Sequence, residues 1–416
     1  MEEFRRLLKN RKFLYLWSSQ VFSQLTINIM NFLVLVHIYE RTNSTIAAAF
    51  IWVAYGIPAI IVGPVAAAAV DMYDRRKILF ISNLTQSVVV LAYAFLYQQF
   101  TYLSYGVVLA YSVMDQFYVP AESATLPSVV REEQLPRANG LFFISQQSAA
   151  ILGFAFAGLI SEAVGYGSAV FTGSILLFLA FVATTKLPRQ KVLKLGGRGV
   201  EAKVWRFFER IREGYRFIRH RKTVLYPFLF LMWLQVSLAI MVVNMPAIGD
   251  QIIKTKPSLS GVLIVFPGGL GALIGTFIVS RLITKMRKKK IIETALIGIS
   301  TSFALISIIV PSLPFWPGRF LLIASFVLVG ISYVSALIPA LTFMQIQTPK
   351  ELMGRLFGNF WFLTTIATLL PILFAATVTE LLGVTLLLVI LGAISGSIYV
   401  FSRLYLEKSY LTISEA

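Results

Sequence analysis

The sequence predicts an all-α membrane protein whose twelve transmembrane helices form two pseudo-symmetric bundles of six. Three observations predict it. Hydrophobic residues fill 57% of 416 positions, and twelve spans of about 20 residues would use roughly 240 positions, nearly all of that apolar supply. Charged residues make up only 13% of the chain, too few to solvate a soluble domain of this length. The longest hydrophilic stretch, 187–222, falls between the sixth and seventh apolar runs, and similar turns recur on either side of it.

In chain order, the first half carries apolar runs at about 14–39, 46–70, 78–98, 101–125, 139–163 and 166–185. The second half carries them at about 223–247, 259–284, 291–311, 318–347, 354–378 and 382–404. Each is long enough to cross about 30 Å of hydrocarbon as a helix. A barrel would show alternating segments of about ten residues instead. The predicted domains are an N-terminal bundle at 1–186, a basic linker at 187–222 and a C-terminal bundle at 223–416. The turn Asp71-Met72-Tyr73-Asp74-Arg75-Arg76-Lys77-Ile78 is matched 213 positions later by Thr284-Lys285-Met286-Arg287-Lys288-Lys289-Lys290-Ile291. Arg131-Glu132-Glu133-Gln134-Leu135-Pro136 meets Thr348-Pro349-Lys350-Glu351-Leu352-Met353 at a displacement of 217. Two such halves predict a pseudo-two-fold axis along the membrane normal and a pair of bundles able to rock about a central site.

Charge sets the orientation. Lysine and arginine total 37 against 19 acidic residues, a net charge of +18. Thirty-three of those cations fall on the side of the termini, and only Arg41, Lys254, Lys256 and Arg319 on the other. Positive charge stays inside, so the chain is expected to be a multi-pass protein of the cytoplasmic membrane with both termini in the cytoplasm. The same placement assigns the excess charge to topology and membrane lipids and not to nucleic acid. Met1 to Lys12 is polar and basic, and the run after it is too long for a signal peptide. The absence of cysteine excludes disulfides and thiolate sites, and two histidines, His37 and His220, are too few for a His-based metal site. No metal and no cofactor is expected. In the linker, Val204, Phe208, Ile211, Tyr215 and Ile218 recur at spacings of four and three, which makes one helical stripe. Lys203, Arg206 and Arg210 flank it on one side and Arg212, Arg216 and Arg219 on the other, as in a helix lying in the membrane interface.

The turn Ala67-Ala68-Ala69-Val70-Asp71-Met72-Tyr73-Asp74-Arg75-Arg76 carries much of a Gly-x-x-x-Asp-Arg-x-Gly-Arg-Arg pattern, and with it the whole chain resembles the major facilitator superfamily. Pro120-Ala121-Glu122-Ser123-Ala124-Thr125-Leu126-Pro127, Ala138-Asn139-Gly140, Glu213-Gly214-Tyr215-Arg216-Phe217-Ile218 and Gly354-Arg355 are similar to the drug-exporter branch containing macrolide-efflux and enterobactin-exporter proteins. The sequence departs from the pattern at Ala67, Met72 and Asp74; Asp tolerates the left-handed turn a glycine would supply. Exporters of this kind often carry a Gly-Pro pair in span five, where this chain has Gly153-Phe154 and then Gly158. The resemblance implies the major facilitator fold, a cavity lined by span four, and a gating motif of Asp71, Arg75 and Arg76. Asp71 would face the N-terminus of span eleven, whose unpaired N–H groups favour an anion.

Asp115 is the sharpest single residue, a carboxylate inside the apolar and aromatic stretch Val107 to Val119. Such a group is costly at membrane depth unless it meets water or a partner, and it suits the loading and release of a proton. Glu122, seven positions on, lies on the same face near the cytoplasmic end, where interfacial water is also expected. Span one carries Gln20, Gln24, Asn28 and Asn31 at spacings of four, four and three. This stripe must face protein or a water-filled cavity, so cavity lining and interhelical bonding both stand open. Gln146, Gln235, Asn244, Tyr333 and Gln345 are further cavity candidates, uncharged groups suited to varied amphipathic solutes. Gly268, Gly269, Gly271 and Gly275 lack a following Gly-Lys-Ser/Thr and are expected to pack helices.

The expected function is secondary active transport: proton-coupled export of lipophilic or amphipathic small molecules by alternating access, of the multidrug or macrolide type that the resemblance implies. Lipid, lysolipid or siderophore transport on the same fold is the alternative. A membrane-embedded enzyme would need His, Asp, Glu or Lys clustered on loops at one face, and no such cluster occurs, so no catalytic residue is assigned. A sensor is disfavoured by the polar residues inside the spans. The expected partners are a small-molecule substrate, protons and membrane lipids, and the expected state is a monomer.

Overall fold

The computed structural model describes residues 7–70, 72–189 and 200–405. Helices account for the regular structure, and no strand forms among the described residues. The chain divides into two compact units, Met1–Ile211 and Arg212–Ala416. The division falls inside the helix Val200–His220, within the stretch the sequence sets apart as a linker.

The N-terminal unit contains α1 (Arg11–Thr42), α2 (Thr45–Ile61), α3 (Gly63–Val70), α4 (Arg75–Leu96), α5 (Leu103–Val129), α6 (Leu135–Val164) and α7 (Tyr166–Thr185). Polar caps fix the starts. Asn10 accepts from the N–H groups of Lys12 and Phe13, Ser44 from Ala47 and Asp74 from Arg76, each satisfying a donor that a helix start leaves unpaired. Asn43 closes α1 in the left-handed conformation at φ 50°. Helix α1 packs against α6 and α7, α4 against α5 and α7, and α2 against α5.

The helix Val200–His220 is α8. After it come α9 (Lys222–Val243), α10 (Met245–Gln251), α11 (Phe266–Leu282), α12 (Lys288–Ala304), α13 (Phe315–Ile346), α14 (Met353–Leu382) and α15 (Val384–Tyr405). Their pairing repeats most of that of the first unit: α9 packs on α14, α12 on α13 and α15, and α11 on α13, while the α1–α7 packing has no comparable counterpart between α9 and α15. The repeat extends to the backbone. Gly165 between α6 and α7 has φ 85° and ψ 151°, and Gly383 between α14 and α15 has φ 86° and ψ 152°. Only glycine adopts that conformation without strain. Glycines also close the α11–α13 seam, where a Cβ on Gly271 or Gly330 would overlap the Val327 or Gly268 carbonyl.

The predicted count of twelve spans is approached but not matched exactly. Ten helices among the described residues are long and apolar enough to cross a membrane, or eleven if one bent pair is a single span. The run at 46–70 breaks at Val62 into α2 and α3, bent by 49°; Pro64 has no N–H to continue the ladder. The 27-residue α5 is the other departure: it is long enough but not in the apolar set, because Asp115, Gln116 and Glu122 dilute it. The run at 223–247 breaks likewise at Asn244, ahead of Pro246. In α8 the predicted stripe splits, with Ile218 buried and Phe208 and Tyr215 exposed. The far half of α8 seats on α14: Glu213 pairs with Arg355 at 2.7 Å, and Gly214 lies against Asn359.

Candidate functional site

Helix α5 builds the polar centre of the N-terminal unit. Tyr111, Asp115, Tyr118 and Glu122 follow one another at four, three and four residues, so they stack along one face. All four are buried, Asp115 at 7% and Glu122 at 6% exposure. A carboxylate withdrawn that far from water needs donors.

Each carboxylate finds a tyrosine. Tyr55 of α2 donates its hydroxyl to Asp115 Oδ2 at 3.1 Å, and Ser112 Oγ donates to the Tyr55 carbonyl at 2.6 Å, fixing the segment that carries the ring. The other oxygen, Asp115 Oδ1, is buried and has no hydrogen-bond partner among the described residues. The surroundings are aromatic: the Tyr55 ring is 6.2 Å from Tyr111 and 6.1 Å from Trp52. Tyr111 donates to Asn31 Oδ1 of α1, and Gln86 of α4 donates to the Tyr111 carbonyl at 3.1 Å.

Around Glu122 the bonds run in one direction. Tyr118 donates to Glu122 Oε1 at 3.0 Å. With its only proton committed there, the tyrosine oxygen accepts from Ser19 Oγ at 2.9 Å, and Ser19 accepts from Asn83 Nδ2 at 3.0 Å. This chain Asn83→Ser19→Tyr118→Glu122 joins α4, α1 and α5. Hydroxyls both donate and accept, so it is able to reorganise when the carboxyl group gains or loses a proton. Glu122 is therefore enclosed, not set in interfacial water. Pro120 and Pro127 bracket it, and each removes a backbone N–H from the helix ladder.

The remaining predicted residues divide. Gln20 donates to the Phe142 carbonyl of α6 at 3.0 Å, and Asn31 accepts from Tyr111, so these two members of the α1 stripe bond neighbouring helices. Gln24 is buried, and Asn28 bonds back to the Gln24 carbonyl at 2.7 Å. Gln146 is exposed on α6, as is Gln345 in the last turn of α13. In the C-terminal unit Tyr333 donates to Gln235, and buried Asn244 bonds back to the Ile240 carbonyl at 2.8 Å. Asp71 lies outside the described residues. Arg75 donates to the Ala124 carbonyl of α5 at 2.7 Å, and Arg76 to Thr185, the last carbonyl of α7. Both arginines thus bond helix carbonyls within their own unit, Arg76 at a helix end. His37 is buried and stacks on Tyr166 at 4.3 Å. Tyr55, Tyr118, Ser19 and Asn83 did not emerge from the sequence. The four-three-four register of α5 was the available signal for Tyr118.

Residues 16–372 match the family model described as Major Facilitator Superfamily. The chain is 25% identical over 401 residues to the uncharacterized MFS-type transporter YfiS of Bacillus subtilis, covering 93% of this chain and 92% of that protein. It is 24% identical over 389 residues to macrolide efflux protein A of Streptococcus pyogenes, covering 90% of each. Among solved structures, a POT family transporter in complex with 5-aminolevulinic acid aligns with a TM-score of 0.72 at 12% identity, covering 96% of each chain. The nucleoside transporter NupG aligns at 0.70 and 14% identity, covering 92% of this chain and 97% of that one. At such identities the solved structures speak to fold alone. The family match, the all-helical units and the long apolar helices agree: this chain belongs to the Major Facilitator Superfamily and is a multi-pass membrane transporter.

Proposed function

We propose that the protein is a proton-coupled exporter of lipophilic or amphipathic small molecules, working by alternating access from the cytoplasmic membrane with both termini inside. The observation that carries the reading is the pair of buried carboxylates on α5, each with a tyrosine hydroxyl donor. Charge in such a setting is costly, and proton uptake removes it. Asp115, with one oxygen bonded and the other buried without a partner among the described residues, takes the proton; Glu122, at the end of its own hydroxyl chain, is the second coupling candidate. The likeness to macrolide efflux protein A supports the export of a bulky lipophilic solute. The basic bias of the loops supports the orientation. Arg75 and Arg76, each donating to a helix carbonyl of the N-terminal unit, belong with Asp71 to the proposed gating motif.

The test is uptake of a macrolide into inverted vesicles energised by a pH gradient. Wild-type uptake stops when the gradient is collapsed, and Asp115→Asn lowers it at least about tenfold, about 1.4 kcal/mol of barrier. Gradient-driven uptake by Asp115→Asn at the wild-type rate removes Asp115 from coupling. Uptake of a lysolipid or siderophore in place of the macrolide moves the protein to the alternative substrate class.

A further inference from the structure

A cavity of about 590 Å³ opens along the seam between α12 and α15 in the C-terminal unit. Its walls include Ile297, Ser300 and Thr301 from α12 and Gly396, Val400 and Phe401 from α15. The volume lies within the about 300–1,000 Å³ that ligand pockets occupy. The two helices are held together where Ser300 Oγ donates to the Gly392 carbonyl at 2.9 Å. One turn further the seam opens, because Gly396 has no side chain to fill it. Ile297, Val400 and Phe401 are 46%, 49% and 50% exposed, so apolar walls face outward in a protein whose surrounding solvent is lipid.

The matching seam of the N-terminal unit carries aromatic rings. Counted from the paired linker glycines Gly165 and Gly383, Gly396 corresponds to Phe178 and Tyr399 to Phe181. The Phe178 and Phe181 rings are 5.6 Å apart, and Phe181 meets Phe80 of α4 edge-on at 6.2 Å. One half of the repeat fills this position with aromatic rings, and the other leaves a slot.

The basic end of the slot is polar and cationic. Arg403, seven residues beyond Gly396 and so two turns along the same face, donates to the Tyr399 hydroxyl at 2.9 Å. Lys289 lies 3.6 Å from Glu293, which also accepts from Ser402 at 3.2 Å. Lys288 and Lys290 adjoin them in sequence. An apolar slot in the hydrocarbon that ends at a cationic mouth matches an acyl chain joined to a phosphate. We propose that this seam holds one anionic glycerophospholipid of the adjoining leaflet, its chain between α12 and α15 and its phosphate at Arg403 and Tyr399.

The full-length protein, purified in neutral detergent, tests this by native mass spectrometry and thermal unfolding with added phosphatidylglycerol, phosphatidylcholine or glycerol phosphate. Wild type retains one phospholipid, and phosphatidylglycerol raises the unfolding midpoint more than phosphatidylcholine does; glycerol phosphate alone gives no shift. Gly396→Phe, which copies the aromatic residue of the matching seam, lowers lipid retention at least about tenfold. A Cβ at Gly396 would stand 3.4 Å from Ser300 Oγ, a tolerable contact. Ser397→Trp fills the same slot from an exposed position and carries the test if Gly396→Phe fails to fold. Arg403→Gln, on an exposed side chain, erases the preference for phosphatidylglycerol and leaves retention of phosphatidylcholine unchanged. Wild-type retention in the filling variants, an undiminished preference in Arg403→Gln, or equal stabilisation by glycerol phosphate would overturn the proposal.

Discussion

Tyr118 shows how much of the polar centre rests on single hydroxyl groups. It is fully buried, donates to Glu122 and accepts from Ser19. Tyr118→Phe keeps the ring and removes only the hydroxyl, leaving a carboxyl oxygen and a serine hydroxyl buried without it. A loss of about 1–3 kcal/mol is expected, read as a lower unfolding midpoint in detergent. Combining it with Glu122→Gln should give less than the sum of the single losses, by at least about 0.5 kcal/mol, because the two groups share one bond. Additive losses would place them in separate interactions. Asp115 and Glu122 were legible in the sequence because a carboxylate inside an apolar run is conspicuous. Their partners were not. Ser19 and Asn83 come from other helices, and an isolated serine or asparagine in a span does not declare what it faces.

At the level of elements, composition located the crossings and local chemistry decided how each was broken. Residues 46–70 read as one span by hydropathy, yet Gly63-Pro64 divides it, and Asn244-Met245-Pro246 divides the first long helix of the second unit in the same manner. Those breakers are visible in the sequence; the 49° bend is not, since it depends on what the two pieces pack against. Conversely, α5 survives as one helix despite Pro120 and Pro127, because neighbouring helices supply polar partners along it. The glycines of α11 were legible as packing residues, and they give a direct comparison. Gly271→Ala drives a methyl into the Val327 carbonyl, whereas Gly106 of α5 has nothing within 4 Å of a new Cβ. Gly271→Ala should lose about 1–3 kcal/mol from overpacking. Gly106→Ala should hold its midpoint or gain up to about 1 kcal/mol of helix propensity. Equal midpoints for the two variants would contradict a glycine-closed α11–α13 seam.

Across the whole chain, the repeat organises both structure and chemistry. The two units share most of their helix pairing and the linker-glycine geometry, but their polar content differs. Buried acid residues gather on α5 of the first unit, while its counterpart in the second, α13, offers the uncharged Tyr333 bonded to Gln235. The proposed proton coupling therefore rests on carboxylates of the N-terminal unit. This division was half visible beforehand, because acidic residues can be located along a sequence but the neighbours that enclose them cannot. The most direct measurement is proton release from the purified full-length protein in weakly buffered detergent, followed with a pH-sensitive dye as a macrolide is added. Release is expected from the wild type and none from Asp115→Asn/Glu122→Gln, with macrolide binding retained in both. Release of the same number of protons by the double variant would contradict the proposed coupling.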